Sequence, residues 1–361
     1  MEHLRRKWNS NKRAYRVHES IKNKRSNRLN EISAYQPPLF EPHRWLRGGH
    51  LQTLATVWGD AGTQFNGQQH IVTLPDNDAV VLHENRPQGW SAGQPCVLLV
   101  HGLCGSHQAS YMGRLAAQFL AKGVRVFRID MRGCGAGFNL SKQLTHAGRG
   151  DDLICALDFI DQTSPNSRLG VIAVSLGGNQ ILAALGKIGA GLSRTPAWFD
   201  RLDRVATVSP PVDLLRCSAN MQRRIMWPYN YYFVRKLLSR IPPRVKLRDD
   251  FQHQIIRRRP RTLFDLDDQL TAPLSGFTDA LDYYSQASAS RYVDTNPIPT
   301  LVLASTDDPV VPVDCFRASS QPWPDKTTVC IAKHGGHVGF IDRRNGYWMD
   351  RALEAWFKGF A

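Results

Sequence analysis

The sequence predicts an α/β fold, a mostly parallel, doubly wound sheet with helices on both faces. Three observations predict it. Short apolar runs of strand length recur along the chain, amphipathic stretches of helix length lie between them, and one tight turn cluster near the start joins two runs as a hairpin. The 361 residues are 42% apolar and 21% charged, which suits a globular chain with a sizeable core and excludes a disordered tail, a coiled coil or a collagen-like repeat.

In chain order, residues 71–74 and 79–84 flank Pro75-Asp76-Asn77-Asp78, so they read as an antiparallel pair. Residues 96–100 (C-V-L-L-V) form a continuous apolar run, the mark of a strand buried on both faces of a parallel sheet. Runs at 124–129, 169–174, 205–208, 301–304 and 327–332 repeat that character. Helical periodicity falls at 110–122, 151–161, 176–188 and 347–360. Between 208 and 301 the rhythm breaks. That interval carries Trp227, Tyr229, Tyr231, Tyr232 and Phe233, then a dense basic run, then Tyr283-Tyr284. So long a segment between core elements is expected to be functional, here a lid inserted at about 212–285.

Lys and Arg number 46 against 31 Asp and Glu, a net charge of +15. The excess is local. Residues 1–36 hold ten basic and three acidic side chains, and residues 216–261 hold thirteen and two, leaving the remainder close to neutral. The first stretch reads as a basic N-terminal arm, ended by Pro37-Pro38, with a single domain over 37–361. The seven cysteines (Cys96, Cys104, Cys134, Cys155, Cys217, Cys315, Cys330) include no C-x-x-C pair, so they are expected as small apolar residues of a reducing compartment. Neither a secretory leader nor a membrane-length apolar run is legible, and the expected location is cytoplasmic. With no H-E-x-x-H or C-x-x-C, no metal is expected. Residues 133–137 (G-C-G-A-G) lack the acidic partner of a dinucleotide loop, so no cofactor is expected either.

Ser175 follows the apolar run 169–174 directly and precedes a helix, in Ala173-Val174-Ser175-Leu176-Gly177-Gly178. A serine hydroxyl becomes a nucleophile only when exposed and beside a base, and a strand-to-helix elbow with small residues two before and two after exposes it. His101-Gly102-Leu103-Cys104-Gly105-Ser106 follows the run at 96–100. The backbone N–H groups of Leu103 and Leu176 are the expected oxyanion donors. Asp307-Asp308-Pro309 follows the run at 301–304, with Asp308 preferred as the orienting acid and Asp307 the alternative. His337, in Gly335-Gly336-His337-Val338-Gly339-Phe340, is the expected general base, and His334 is expected beside the site or on the surface. Ser175, Asp308 and His337 stand in the order known from hydrolases of this architecture, each after a strand. His50 and His146 admit two readings, at the entrance and beside the site, or as hydrogen-bonded histidines that hold loops; the second is favoured.

Several strings together resemble the YheT-like branch of the α/β-hydrolases, esterases related to ABHD1/ABHD3-type lipid hydrolases, from about Pro38 to the C-terminus. They are Trp45 to Thr53 (with H-L-Q-T), His101-Gly102-Leu103, Arg132-Gly133-Cys134, His146-x-Gly148, Ser175 to Asn179, Ser209 to Leu214, Gly276-Phe277, Tyr283-Tyr284, Asp307-Asp308-Pro309 and Gly335 to Phe340. Ala173 and Asn296 depart from the family pattern. The resemblance implies an α/β-hydrolase fold with the triad on Ser175, Asp308 and His337. The resulting expectation is a serine hydrolase of carboxylic (acyl) esters that works through an acyl-enzyme. One alternative is a membrane-surface lipase acting on monoacylglycerol or phospholipid, in peripheral contact with an anionic membrane. Another, of a different class, is a non-catalytic module that binds anions or nucleic acid through the arm. A small-molecule or lipid ester is the expected partner, with no specific nucleic acid.

Overall fold

The computed structural model describes residues 35–58, 66–253, 259–317, 322–343 and 346–361. The expected basic arm falls almost wholly outside the described residues, and the architecture below is that of the unit Pro38–Ala361.

Eight strands form one sheet in the order β1-β2-β4-β3-β5-β6-β7-β8. They are β1 (Gln68–Thr73), β2 (Ala79–Asn85), β3 (Cys96–Val100), β4 (Arg125–Asp130), β5 (Leu169–Val174), β6 (Leu202–Val208), β7 (Thr300–Ser305) and β8 (Thr327–Ala332). β2 runs antiparallel to both β1 and β4, and every other pairing is parallel. The hairpin turn closes through the Leu74 N–H to the Asp78 carbonyl at 2.9 Å, with Asn77 at φ 59°, a conformation that asparagine tolerates well.

Every residue of β3, β4, β5 and β7 is buried. Side chains alternate between the faces of a strand, so both faces of the sheet must be covered. β8 corrects the expectation of burial at 327–332: each of its six residues is partly exposed, because β7 is its only neighbour and it forms the sheet edge.

The helices that matter for the site are α1 (Gly49–Trp58), α2 (Ser110–Leu120), α3 (Gly150–Thr163) and α4 (Leu176–Gly189). Strand order reverses between β3 and β5, so the loops after them diverge and leave a crevice at their C-terminal ends. His101 and Ser175 open those two loops.

Between β6 and β7 the chain is a helical layer with a small core of its own, built on Val234, Ile241, Val245, Leu266, Leu270 and Leu274. It contains α5 (Leu214–Met221), α6 (Trp227–Ser239), a π-helical turn (Asp267–Thr271) and α7 (Ala280–Ala287). Asp213 and Asp279 cap α5 and α7 through backbone N–H groups three residues on. Asn230 ties the layer together, its Nδ2 donating to the Met221 carbonyl at 2.7 Å and its Oδ1 accepting the Leu263 N–H at 2.8 Å. Asn296, a departure from the family pattern, closes the turn into β7: its Oδ1 accepts the Ile298 N–H and its Nδ2 donates to Thr300 Oγ1.

The Arg132 string has a structural role. Its guanidinium is buried and grips Asp152 with two bonds of 2.6 and 2.7 Å, while Nη1 reaches Asp76 at 2.6 Å and Asp78 at 3.2 Å. One side chain thus fastens the hairpin turn to the loop after β4 and to the first turn of α3. Replacing it with Met leaves buried carboxylates unpaired, so Arg132→Met is expected to lose roughly 3–5 kcal/mol in urea unfolding. Arg132→Lys should recover only part of that, because an ammonium cannot reproduce the planar fork.

Candidate active site

The chain leaves β5 through Ser175 at φ 51°, ψ −118°, a strained conformation that costs a non-glycine residue about 1–3 kcal/mol. Two backbone bonds hold it there. The Ser175 N–H donates to the Val208 carbonyl at 2.8 Å, and the Ser175 carbonyl accepts the Asn179 N–H at 3.2 Å, which starts α4 at once. The helix runs so close under β3 that a Cβ at Gly177 would stand 2.5 Å from Val100 Cγ1. Ala173, the other departure, is a buried β5 residue and leaves the elbow intact.

His337 Nε2 lies 2.9 Å from Ser175 Oγ, and its Nδ1 lies 2.9 Å from Asp308 Oδ2. The other Asp308 oxygen accepts the N–H groups of Val310 and Val311 at 2.8 and 2.9 Å. Asp307 faces elsewhere: Oδ1 accepts Ser305 Oγ–H and the Gly336 N–H, and Oδ2 lies 3.3 Å from His334 Nδ1. The two neighbouring carboxylates therefore address different histidines, with Asp308 on His337. A carboxylate at Nδ1 keeps the proton there and leaves the Nε2 lone pair toward the serine hydroxyl.

The H-L-Q-T block is helix α1, which has no acidic side chain in its first turn and no basic one in its last to mark its ends in the sequence. It clamps the His337 loop. Thr53 Oγ1 accepts the His337 N–H at 2.8 Å and donates to the Gly49 carbonyl at 2.7 Å. Gln52, fully buried, donates to the carbonyls of Leu46 and Ile341 and accepts the Ile341 N–H. Gly336 sits at φ 57°, and a Cβ there would stand 2.2 Å from the Gly49 carbonyl oxygen, so the loop reaches His337 only by lying flat on α1.

The loop after β3 is pinned as well. The Gly102 N–H donates to Tyr111 Oη at 3.0 Å. His101 Nε2 accepts the Met131 N–H at 3.2 Å, so its Nδ1–H donates to the Gly102 carbonyl at 2.8 Å. Burial holds this imidazole below the usual histidine range, hence neutral. Gly102 is thereby occupied. Leu103 and Leu176 line the same cavity as Ser175, and Leu176, first residue of α4, has no carbonyl behind it in the helix.

His50 is exposed, lines the cavity and meets Tyr229 Oη at 2.9 Å, linking α1 to α6. His146 is buried in the cavity wall, where its Nδ1 accepts the Gly148 N–H at 3.1 Å and its ring meets Phe277 and Tyr283 edge-on. Burial, then Arg149 and Arg132, push its pKa down to about 3. Both histidines thus border the site; His146 holds the loop before α3, and His50 joins two helices. The cavity measures about 960 Å³ and has a mainly apolar wall drawn from α1, the loops after β3 and β5, and the inserted helical layer.

Among the described residues, His83, His107 and Asp130 are the three side chains close enough to share a metal ion. They already satisfy one another. His83 Nε2 and His107 Nδ1 both bond Asp130 Oδ2, at 2.9 and 2.7 Å, and Asp130 also accepts the N–H groups of His107 and Ala136. The two rings stack at 3.4 Å and 12°. Each ring therefore spends the nitrogen that faces the cluster on a hydrogen bond to the same carboxylate oxygen. Burial alone would raise the Asp130 pKa, but the bonds from His107, His83 and the backbone hold it well below the usual carboxylate range. Such a depressed acid stabilises the fold above its unfolded pKa of about 3.9, and that contribution is lost as pH falls below it. Asp130→Asn is therefore expected to be less stable than wild type at pH 7, with the gap closing between pH 5 and 2 when thermal unfolding is followed across pH.

A family model described as alpha/beta hydrolase fold matches residues 95–344. The chain is 26% identical over 327 residues to YheT of Escherichia coli (strain K12), provisionally named an esterase, covering 88% of this chain and 92% of that protein. It is 28% identical over 268 residues to phospholipase ABHD3 of Mus musculus, covering 72% of this chain and 62% of that protein, so it spans less than two thirds of the mouse relative. Among solved structures, the esterase Pf2001 of Pyrococcus furiosus superposes with a TM-score of 0.54 at 15% identity, covering 90% of this chain and 99% of that one. A likeness at that identity speaks to the fold alone.

Proposed function

Since the chain belongs to the alpha/beta hydrolase fold family, we propose that it hydrolyses carboxylic esters, with Ser175 as nucleophile, His337 as general base and Asp308 as the orienting acid. The observation that carries this reading is the continuous relay from Asp308 through His337 to Ser175, two hydrogen bonds of 2.9 Å each. Relatives named as esterase and phospholipase support it. Ser175 Oγ adds to the ester carbonyl while its proton passes to His337 Nε2. Asp308 steadies the imidazolium and fixes its tautomer. The Leu103 and Leu176 N–H groups take the oxyanion, each donor contributing about 3 kcal/mol to the barrier reduction. His337 then protonates the departing alcohol, and water, activated by the same imidazole, releases the acid and restores Ser175. The chain's own residues suffice for every proton transfer in this cycle.

Fluorophosphonate labelling and p-nitrophenyl ester kinetics test it. Ser175→Ala is expected to abolish labelling and lower kcat by about 10⁴-fold or more, and Asp308→Asn by about 10³–10⁴-fold. Asp307→Asn is expected to retain kcat within roughly tenfold. Well-folded wild-type protein that neither labels at Ser175 nor turns over any ester would sink the reading. Thr53 acts as a positioning residue through the His337 N–H. Thr53→Val should lower kcat on the order of tenfold to a hundredfold with little change in KM, since misplacing the base by a fraction of an ångström disturbs only the transition state. Thr53→Ser should restore it.

One observation favours a second reading, action at a membrane surface. α6 lines the cavity with Tyr229, Tyr232, Phe233 and Leu237, while its outer side carries Trp227 and Tyr231, 64% and 50% exposed. Those two rings stack at 5.6 Å, and Arg235 donates to Tyr231 Oη. Exposed Trp and Tyr beside Arg match the interfacial belt of a bilayer, and each basic side chain near anionic lipid contributes about 1 kcal/mol. On this reading, long-chain glyceride turnover rises when anionic vesicles replace zwitterionic ones and falls with added salt. The double change Trp227→Ser with Tyr231→Ser should remove that rise and spare p-nitrophenyl acetate turnover. Equal rates on both vesicle types would leave the soluble-ester reading alone standing.

A further inference from the structure

The cavity wall beside Ser175 is mainly apolar, yet a carboxyl side chain stands in it. Asp267 lines the cavity together with Leu263, Thr271, Tyr283 and Tyr284 and is only partly buried, keeping accessible surface inside an enclosure. It opens the π-helical turn Asp267–Thr271. Such turns lodge an extra residue in a helix and recur at functional sites.

The carboxyl is not consumed by its surroundings. Oδ2 accepts the Tyr284 hydroxyl at 2.7 Å, and the Thr271 side chain gives a second hydrogen bond. An ionised carboxylate has about four acceptor positions, and these two donors fill two of them. Among the described residues no Lys or Arg lies within ion-pair distance of Asp267. The neighbouring Tyr283 hydroxyl is already engaged, accepting the Ala147 N–H at 2.9 Å. Burial raises the Asp267 pKa to about 6, against the pull of Tyr284 and Thr271. An acid kept in so poor a solvent, with no cation among the described residues to compensate it, gains most from a ligand that brings a hydrogen-bond donor.

We infer that Asp267 is a substrate-binding residue that accepts a hydrogen bond from a hydroxyl group carried by the ester. The assignment rests on the hydrolase reading above and narrows its substrate class to hydroxyl-bearing esters. A hydroxyl is favoured over an ammonium group because both side chains that already bond Asp267, Tyr284 and Thr271, are hydroxyl donors, and an ammonium would have to shed its hydration in a mainly apolar wall. Discrimination follows from the same physics: a site built to bond a hydroxyl rejects the analogue without it, because the analogue strands a desolvated acceptor.

Matched ester pairs test this. On the acyl side the pair is p-nitrophenyl octanoate and p-nitrophenyl 8-hydroxyoctanoate; on the alcohol side it is ethyl octanoate and 1-monooctanoylglycerol; p-nitrophenyl 8-aminooctanoate supplies the cationic arm. Wild type is expected to favour the hydroxyl member of at least one pair by about tenfold or more in kcat/KM, chiefly through KM. Asp267→Leu should collapse that ratio toward one, and Asp267→Asn, which keeps an acceptor but no charge, should give an intermediate ratio. If Asp267→Leu fails to fold by circular dichroism, the wild-type and Asp267→Asn ratios decide. A wild-type ratio near one in both pairs overturns the inference, as does a ratio unmoved by either substitution, and preference for the amino ester overturns the choice of hydroxyl. Those outcomes all require turnover. Folded wild-type protein that hydrolyses none of the five esters rejects the hydrolase reading itself and this inference with it.

Discussion

One imidazole ring has to face two ways. His337 reaches Ser175 with one nitrogen and Asp308 with the other, each at 2.9 Å, and those partners stand at the ends of different strands. Side-chain rotation alone cannot satisfy both; the backbone at 337 must be held at one height and one angle over the sheet. That constraint accounts for much of the structure around it. The loop after β8 carries glycine at 335 and 336, with φ 140° and 57°, and is pressed onto α1, where Thr53 accepts the His337 N–H and Gln52 bonds both backbone groups of Ile341. A helix that precedes the whole sheet in sequence thus fixes the ring that the last strand delivers.

The strained serine belongs to the same logic. The conformation of Ser175 is paid for by packing nearby: β3, β5 and the start of α4 approach closely enough that a methyl at Gly177 would collide with Val100. Strain of about 1–3 kcal/mol persists only where the surroundings over-determine a residue, and fully buried strands on both sides of the elbow provide that rigidity. The loop opposite is equally constrained, with Gly102 bonded through its N–H to Tyr111 and through its carbonyl to His101. The Ser175 hydroxyl, Leu103 and Leu176 thus line one cavity on elements that are each held from both sides.

What was legible in the sequence follows from how far each signal is local. The runs at 96–100 and 169–174 coincide with β3 and β5, because a strand packed inside an α/β sheet must be apolar along its length, and the run at 327–332 coincides with β8. Composition alone could not tell that β8 lies at the edge, since edge position is a property of the sheet order. The positions of Ser175, Asp308 and His337 could be read because each follows a strand, whereas the choice between Asp307 and Asp308 depended on which way adjacent side chains project. Thr53, Gln52 and Tyr111 were not legible as site residues. Each acts through a backbone group distant in sequence, 284 positions away in the case of Thr53, and no spacing rule reports such a contact. Asp267 was hidden for a similar reason: an acid between Asp265 and Asp268 in a helical interval reads as surface until the cavity beside it is seen.

The charge of the chain then has a physical reading that composition could not supply. A net +15 spread evenly would favour any polyanion. The part of it on residues 216–261, thirteen basic against two acidic side chains, lies in the segment that supplies part of the cavity lining, while the wall itself is mainly apolar. Charge on that segment is screened within about 8 Å at physiological salt, and it cannot distinguish one neutral ester from another. Inside, where water is scarce, that distinction falls to short-range contacts: apolar fit for the chain and a desolvated acceptor for a hydroxyl. An acid placed on the outer face would have met the same ligand in competition with water and gained little from it. Its position within the wall gives a single carboxylate the power to discriminate.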